Sequence, residues 1–182
     1  DVFKSFRGNA RADVSIMVPR DIALKFGVVN AEALISGIND NASISTVNGD
    51  LVIDNVTGDI QVNSVSGEIS VRNHTGRIGV HSVNGDITVS GQVQGMTTEV
   101  VTGDVYLDVT GIPDELRLNT VSGNVTVRLD ADVPVSYTIN TVNGRLQLDD
   151  SEITGVRGRY TGKYGTLDGR WLDFRGNTVT GN

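Results

Sequence analysis

The chain has no cysteine, and only three prolines and nine aromatic residues among its 182 residues. Without cysteine it can form no disulfide, thiol nucleophile or cysteine-ligated metal site. No apolar run approaches the roughly 20 residues that a transmembrane helix needs, so the sequence predicts no membrane span. No basic segment followed by an apolar stretch opens the sequence, so we expect no signal peptide within it.

Basic side chains are also scarce. The sequence has 15 Lys and Arg against 22 Asp and Glu, and its net charge is −7. Residues 31–150 alone carry sixteen acidic and five basic side chains. A nucleic-acid partner requires a basic face, so none is predicted. The acidic surface is typical of an elongated protein that keeps itself soluble by repulsion.

Valine and glycine are abundant, with 27 and 22 copies, and both occur in a repeat. Glycines 49, 58, 67, 76 and 85 are nine residues apart, and each lies in the same frame of Val, polar, Gly, acidic, Ile, polar, Val. The clearest copies are residues 47–53, 56–62, 65–71 and 83–89. The polar-Gly pair favours a tight turn, and the alternation after it favours a short strand with one apolar face.

A single nonapeptide cannot bury its apolar residues, but stacked copies can. Beyond residue 85 the glycine spacing becomes 18, 20 and 21, which is close to two nonapeptides. The pattern therefore predicts an all-β, single-domain parallel β-solenoid with two short strands per coil of about 18–21 residues. Coil lengthening is expected at turns such as residues 112–114, and the apolar residue that opens each repeat is expected to face the core.

Residues 1–150 are assigned to the solenoid, most clearly at 47–150, and residues 14–18 extend the array back to about residue 13. Residues 151–182 break the pattern and are interpreted as an atypical C-terminal cap. The cap ends at 178–182 in a segment that matches the start of another repeat. A truncated repeat would leave an open sheet edge, so end-to-end self-association is one expected behaviour.

The repeated frame resembles the bacterial toast-rack domains, which are adhesin-like domains of unknown function. The resemblance covers roughly residues 13–150 and the terminal 178–182. It implies a β-solenoid on a bacterial envelope or extracellular protein, beside membrane segments or stress-signalling partners. Any anchor would then come from a segment outside this sequence. No catalytic residues follow from the resemblance.

Acidic residues follow the glycine in alternate repeats. In an 18-residue coil, Asp50, Glu68, Asp86 and Asp104 fall in one column about 4.8 Å apart. Such a column predicts either solvated turn residues or a row of calcium ligands. Calcium-binding β-rolls need more glycine and aspartate in each turn than this chain has, which favours solvated turn residues. Both interpretations stay open.

Two histidines interrupt the pattern. His74 occupies the position where other repeats have valine, so we expect it in the core, whereas His81 is expected to face solvent. Two histidines in different columns do not predict a transition-metal site, and no cofactor is predicted.

Aromatic and basic residues concentrate near the C-terminus. Tyr160, Tyr164, Arg170 and Trp171 lie in the last 32 residues. They are interpreted as a cap over the last core layer and, alternatively, as a recognition surface, because Trp, Tyr and Arg are favoured contact residues.

No Gly-x-Ser-x-Gly elbow or phosphate loop is present, and the neighbouring carboxylates Asp149 and Asp150 would face opposite sides of a strand. The sequence therefore favours a non-enzymatic envelope module that presents a rigid β-surface to a protein or cell-wall polymer. Two alternatives remain. One is a polysaccharide-active solenoid that uses surface carboxylates. The other is a passive spacer or sensor ectodomain of a membrane-anchored signalling protein.

Overall fold

The computed structural model of the chain describes residues 21–148, 151–167 and 169–181. The repeat predicted at 14–18 and the pair Asp149–Asp150 lie outside these residues. The described part is all-β, with 73% of residues in strands, and its parallel coils stack into a solenoid of about six turns. The predicted fold class is confirmed. Within the described residues no helix has the length and apolar character required to cross a membrane.

In the part of the chain that the structure describes, thirteen strands follow one another. They are β1 (Leu24–Asn30), β2 (Ala33–Ser36), β3 (Ala42–Asn48), β4 (Leu51–Asp54), β5 (Ile60–Ser66), β6 (Ile69–Asn84), β7 (Ile87–Thr102), β8 (Val105–Val109), β9 (Glu115–Ser122), β10 (Val125–Leu129), β11 (Val135–Leu148), β12 (Ser151–Tyr164) and β13 (Leu172–Gly181).

The strands stack into two faces. Face A contains β1, β3, β5, the second halves of β6 and β7, and then β9, β13, β11 and β12. Face B contains β2, β4, the first halves of β6 and β7, and then β8 and β10. Residue 62 pairs with residue 80 on face A, which gives the predicted coil of 18 residues. Met96 pairs with Leu116, a step of 20, because the loop at 110–114 adds two residues as expected.

Glycine is required where the chain turns from face A to face B. Gly67 has φ of 130° and Gly85 has φ of 142°, in a region that side chains rarely adopt. A Cβ on Gly85 would also clash with the carbonyl oxygen of Gly67 in the coil below. The nine-residue glycine spacing therefore reflects both the turn conformation and the close stacking of one turn on the next.

The fifth and seventh residues of each repeat form the core, as predicted. Ile69, Val71, Ile87 and Val89 are all at most 1% exposed. The expectation for the first position was wrong in the repeats that open at residues 47, 65, 83, 101, 121 and 142, since Val65, for example, is 45% exposed whereas Val56 is 1% exposed. The cause is Asn55, whose φ of 53° inserts a left-handed residue before Val56 and turns that side chain inward. No such residue precedes Val65, which follows buried Ser64 in a regular strand and therefore faces out.

The C-terminal strands are not stacked in chain order. β13 lies between β9 and β11 and is parallel to both, and β12 is antiparallel to β11 at the end of the sheet. The segment interpreted as a truncated repeat is part of β13, and its Gly181 stacks on Gly123. In the predicted cap, β12 therefore occupies the terminal position, while β13 is inserted inside the stack.

Candidate functional site

A column of exposed valines runs along face A beside the turns. The strand registers place one valine of each coil next to the valine of the following coil. Their exposed fractions lie between 40% and 48%, which is high for a large apolar side chain repeated so regularly. This valine column consists of Val47, Val65, Val83, Val101, Val121, Val179 and Val142, and Val29, which lies next to Val47 in β1 and is 61% exposed, extends it at one end.

A polar column runs parallel to the valines, two residues earlier in each strand. At its C-terminal end three amides form a ladder, in which Asn140 Nδ2 donates to Asn177 Oδ1 at 2.7 Å and Asn177 Nδ2 donates to Asn119 Oδ1 at 2.7 Å. The next two positions are joined by a hydrogen bond between His81 Nδ1 and Glu99 Oε2, 2.9 Å apart. The hydrogen bonds within the column hold its side chains in a fixed arrangement along the solenoid axis.

A groove of about 860 Å³ lies between the valine column and the polar column. It crosses six strands of face A and reaches Gly158 of β12. Its floor includes Ser64, Ser82 and Thr120, which are buried and whose hydroxyl groups have no hydrogen-bond partner within the described residues. The groove therefore has one apolar wall, one polar wall and a length set by the number of stacked coils.

A second groove, of about 770 Å³, lies at the other end of the face A strands. Charged side chains from several coils line it, including Lys25, Asp59, Arg77 and Glu115. Asp59 and Arg77 occupy neighbouring positions in adjacent strands. Glu115 Oε1 accepts a hydrogen bond from Arg117 Nε at 2.6 Å. This groove is the place where the structure gathers carboxylates and basic groups from adjacent coils.

Three members of the acidic column of Asp50, Glu68, Asp86 and Asp104 accept hydrogen bonds from the backbone, namely the three aspartates. Asp50 Oδ1 accepts from the N–H of Glu68 at 2.9 Å, and Asp86 Oδ1 accepts from the N–H of Asp104 at 2.8 Å. Each of these contacts joins a turn to the same turn one coil later. Within the described residues, no three His, Asp or Glu side chains gather into a group that could hold a metal ion. The calcium interpretation stays a prediction.

The predicted recognition residues of the C-terminal segment lie on β12 and just before β13. Tyr160 pairs with buried Ile139 and Tyr164 pairs with Val135, so both tyrosines lie on the core side of β12. Tyr164 is nevertheless 54% exposed, and Trp171, just before β13, is 45% exposed. Arg170 Nη2 bonds Asp114 Oδ1 at 3.0 Å, so this guanidinium links two loops at the end of the sheet. The structure thus places these residues at one end of the solenoid, with Arg170 in an ion pair.

His74 lies in the core, as predicted, and is 0% exposed. Neither ring nitrogen has a hydrogen-bond partner of good geometry within the described residues. Burial lowers the pKa of the imidazole, and the backbone carbonyls of Val56 and Arg77 and the charge of Asp59 offset this only in part. His74 is therefore a buried, neutral side chain that takes the place of a core valine. His81 is about 44% exposed at its side chain, in agreement with the expected solvent-facing position.

Sequence reasoning missed the valine column, because every repeat was expected to bury its first residue. The residue before the first position of each repeat carried a signal for whether that position is buried. Asn55 and Asn73 precede the buried Val56 and His74, and both have a positive φ, which asparagine tolerates better than most residues. Ser64 and Ser82 precede the exposed Val65 and Val83 and continue the strand.

Comparisons with known proteins agree with the repeat and with the fold. A comparison with curated proteins finds no match, and a comparison with solved structures finds none either. The family model described as Toastrack DUF4097 matches residues 3–166, which is most of the 182-residue chain. The chain therefore belongs to the Toastrack DUF4097 family, a domain family of unknown function.

Proposed function

We propose that this protein is a non-enzymatic recognition module that binds an elongated partner, a protein or a cell-wall polymer, along the groove beside the valine column. The observation that carries the proposal is the continuity of this groove across six strands. Regular, exposed apolar surface of this kind is typical of interaction sites. A solenoid also presents the surface already ordered, so binding loses little conformational entropy.

The proposal places the protein in the bacterial envelope or outside the cell, where adhesin-like modules meet such partners. Its support is the resemblance of the repeats to the bacterial toast-rack domains. No cofactor is required, because recognition depends only on the shape and polarity of face A.

The test is co-sedimentation of the labelled, purified chain with wall polymer, membranes and membrane proteins from its own cells. Val101→Glu and Val121→Glu together place two charges in the valine column and are expected to abolish retention. Leu34→Glu is the matched control, because Leu34 is 72% exposed on face B. Retention that survives both column substitutions would contradict the proposed surface, and no retention on any fraction would favour the passive spacer.

The same assay tests the recognition surface predicted near the C-terminus. Tyr164→Ala with Trp171→Ala removes two exposed aromatic side chains that lie away from the valine column. If this pair abolishes retention while the column variants bind normally, the partner binds at the end of the solenoid and not along the groove.

The second groove favours a second candidate, a polysaccharide-active protein. The supporting observation is that Asp59, Arg77 and Glu115 from different coils line one depression. Two carboxylates acting as acid and base are the usual requirement for glycoside hydrolysis. The test is release of new reducing ends from wall polysaccharide. Activity that is lost in Asp59→Asn and in Glu115→Gln would support this candidate, and no release by the wild-type chain would contradict it.

A further inference from the structure

The surface around the valine column is almost free of charge, although the chain is acidic. This surface consists of three parallel columns, each with seven residues. They are the valine column, the polar column beside it, and the turn residues that follow each valine. Within the described residues, His81 and Glu99 are the only titratable side chains of these columns, and His81 Nδ1 contacts Glu99 Oε2 at 2.9 Å. The turn residues are Asn48, Ser66, Asn84, Thr102, Ser122, Thr180 and Asn143.

The valine column and the groove form a ridge and a depression side by side, and the groove accompanies the column from β5 to β11. Both follow the stacking repeat of the strands, which is about 4.8 Å. A two-fold axis that lies in the plane of the contact, parallel to the two columns and midway between ridge and groove, would place the ridge of one copy in the groove of another, and the reverse. Interfaces of this isologous kind are the commonest in protein dimers.

A second copy fits this surface better than other partners, because it presents the same side chains at the same spacing. Stacked β-sheets that share a repeat can interdigitate their side chains along the whole contact. From these relationships we infer that face A binds face A of a second copy of this chain. This inference rests on the proposed recognition function of the groove.

The size of the surface sets the expected strength. Seven valines at the strand spacing extend over about 29 Å, and the three columns are about 20 Å wide with their side chains. The contact therefore covers on the order of 600 Å² per copy, at the boundary between weak encounters and standard interfaces. The dimer is reversible, with a dissociation constant between about 1 μM and about 1 mM.

Charge outside the surface gives the dimer a characteristic salt response. Each copy has a net charge of −7, so two copies repel, while the contact itself is nearly neutral. Salt screens the repulsion and leaves the apolar contact intact. Dimerisation is therefore strengthened by added sodium chloride, in contrast to an interface that depends on ion pairs.

The experiment is analytical ultracentrifugation of the full chain from about 1 μM to about 1 mM at low and high salt. The wild-type chain and the face B control Leu34→Glu are expected to change from one copy to two over this range. Val101→Glu lies at the centre of the column and places two carboxylates close to the two-fold axis. It is expected to weaken dimerisation at least about tenfold, which is about 1.4 kcal/mol. Circular dichroism establishes that each variant is folded.

Each result decides between the alternatives. A wild-type chain that stays monomeric throughout would overturn the inference, as would a Val101→Glu variant that dimerises normally. If the wild-type chain is monomeric but still binds an envelope fraction through Val101, the groove has another partner and the proposed function stands. If it neither dimerises nor binds any fraction, both the inference and the proposed function fail.

Discussion

Oδ1 of Asp86 accepts a hydrogen bond from the backbone N–H of Asp104, 2.8 Å away and 18 residues further along the chain. The same relationship joins Asp50 to Glu68, and Asp104 to the N–H of Asn124. In these three turns the aspartate after the glycine thus binds a backbone donor of the next turn. This accounts for a column of like charges without a bound cation, since each carboxylate stabilises the turn above it.

Asp86→Ala is therefore expected to lower the free energy of unfolding by about 1 kcal/mol, because the N–H of Asp104 loses its acceptor. The measurement is urea denaturation followed by circular dichroism. Asp86→Asn is the control, since it keeps an oxygen acceptor, as Asn41 does for the N–H of Asp59. Equal destabilisation by Ala and Asn would show that the charge, and not the hydrogen bond, matters. If the column also holds calcium, adding calcium will raise the melting temperature of the wild-type chain but not that of Asp86→Asn.

Gly85→Ala is expected to destabilise the solenoid by at least about 2 kcal/mol. The φ of Gly85 is 142°, and the new Cβ would clash with the carbonyl oxygen of Gly67. Gly95→Ala in β7 is the matched control, because a Cβ there meets its nearest neighbour at 3.6 Å and Gly95 has no positive φ. Thermal unfolding of the two variants should separate them clearly. Similar melting temperatures would show that the turns are not the reason for the glycine spacing.

Acid should weaken the fold through His74. Because burial lowers the pKa of this imidazole in the folded state, the unfolded chain binds the proton more readily. The stabilising contribution is therefore fully present above about pH 6.5 and is lost as the pH falls below that value towards the lowered pKa. The measurement is the free energy of unfolding between pH 7.5 and pH 5.

His74→Val is the comparison for this pH dependence, because Val56 occupies the equivalent position one coil earlier and is 1% exposed. The variant should lose the part of the pH dependence that comes from the buried ring. A decline with acid that is as steep in the variant as in the wild-type chain would assign the effect to other groups.

Thr120→Val should stabilise the protein by about 1 kcal/mol. The hydroxyl of Thr120 is buried and has no hydrogen-bond partner within the described residues, so its removal relieves a desolvation cost. Valine fits the position, because Val100 pairs with Thr120 in the adjacent strand and is 3% exposed. Chemical denaturation checks the prediction, and a loss of stability would mean that the hydroxyl has a partner in solution.

The sequence was sufficient to predict the solenoid, its coil length and most of its core, because each depends on spacing alone. Ile69 and Val71 alternate with polar residues, and Gly67 and Gly85 repeat at the coil length. The candidate groove could not be predicted in the same way. Its valine wall depends on which residues of each strand alternate inward and outward. Asn55, with its left-handed backbone, changes this alternation on one side of the coil only. A nine-residue repeat in sequence is thus an 18-residue repeat in structure.

The position of β13 could not be predicted from periodicity either. Residues 178–181 match the repeat frame, but the frame is the same for every coil and does not say which neighbours the strand will have. Pairing of Phe174 with both Leu116 and Tyr137 places the strand between β9 and β11. This choice depends on contacts between residues nearly 60 positions apart, which local patterns do not encode.

The insertion of β13 has a consequence for synthesis on the ribosome. The coils up to β9 can stack in the order in which they are translated, each on the one before it. β11 is different, because its neighbour on the solenoid side is β13, which is made later. The last part of the stack must therefore wait until residue 181 has left the exit tunnel, so β11 and β12 cannot join the solenoid until β13 has been made.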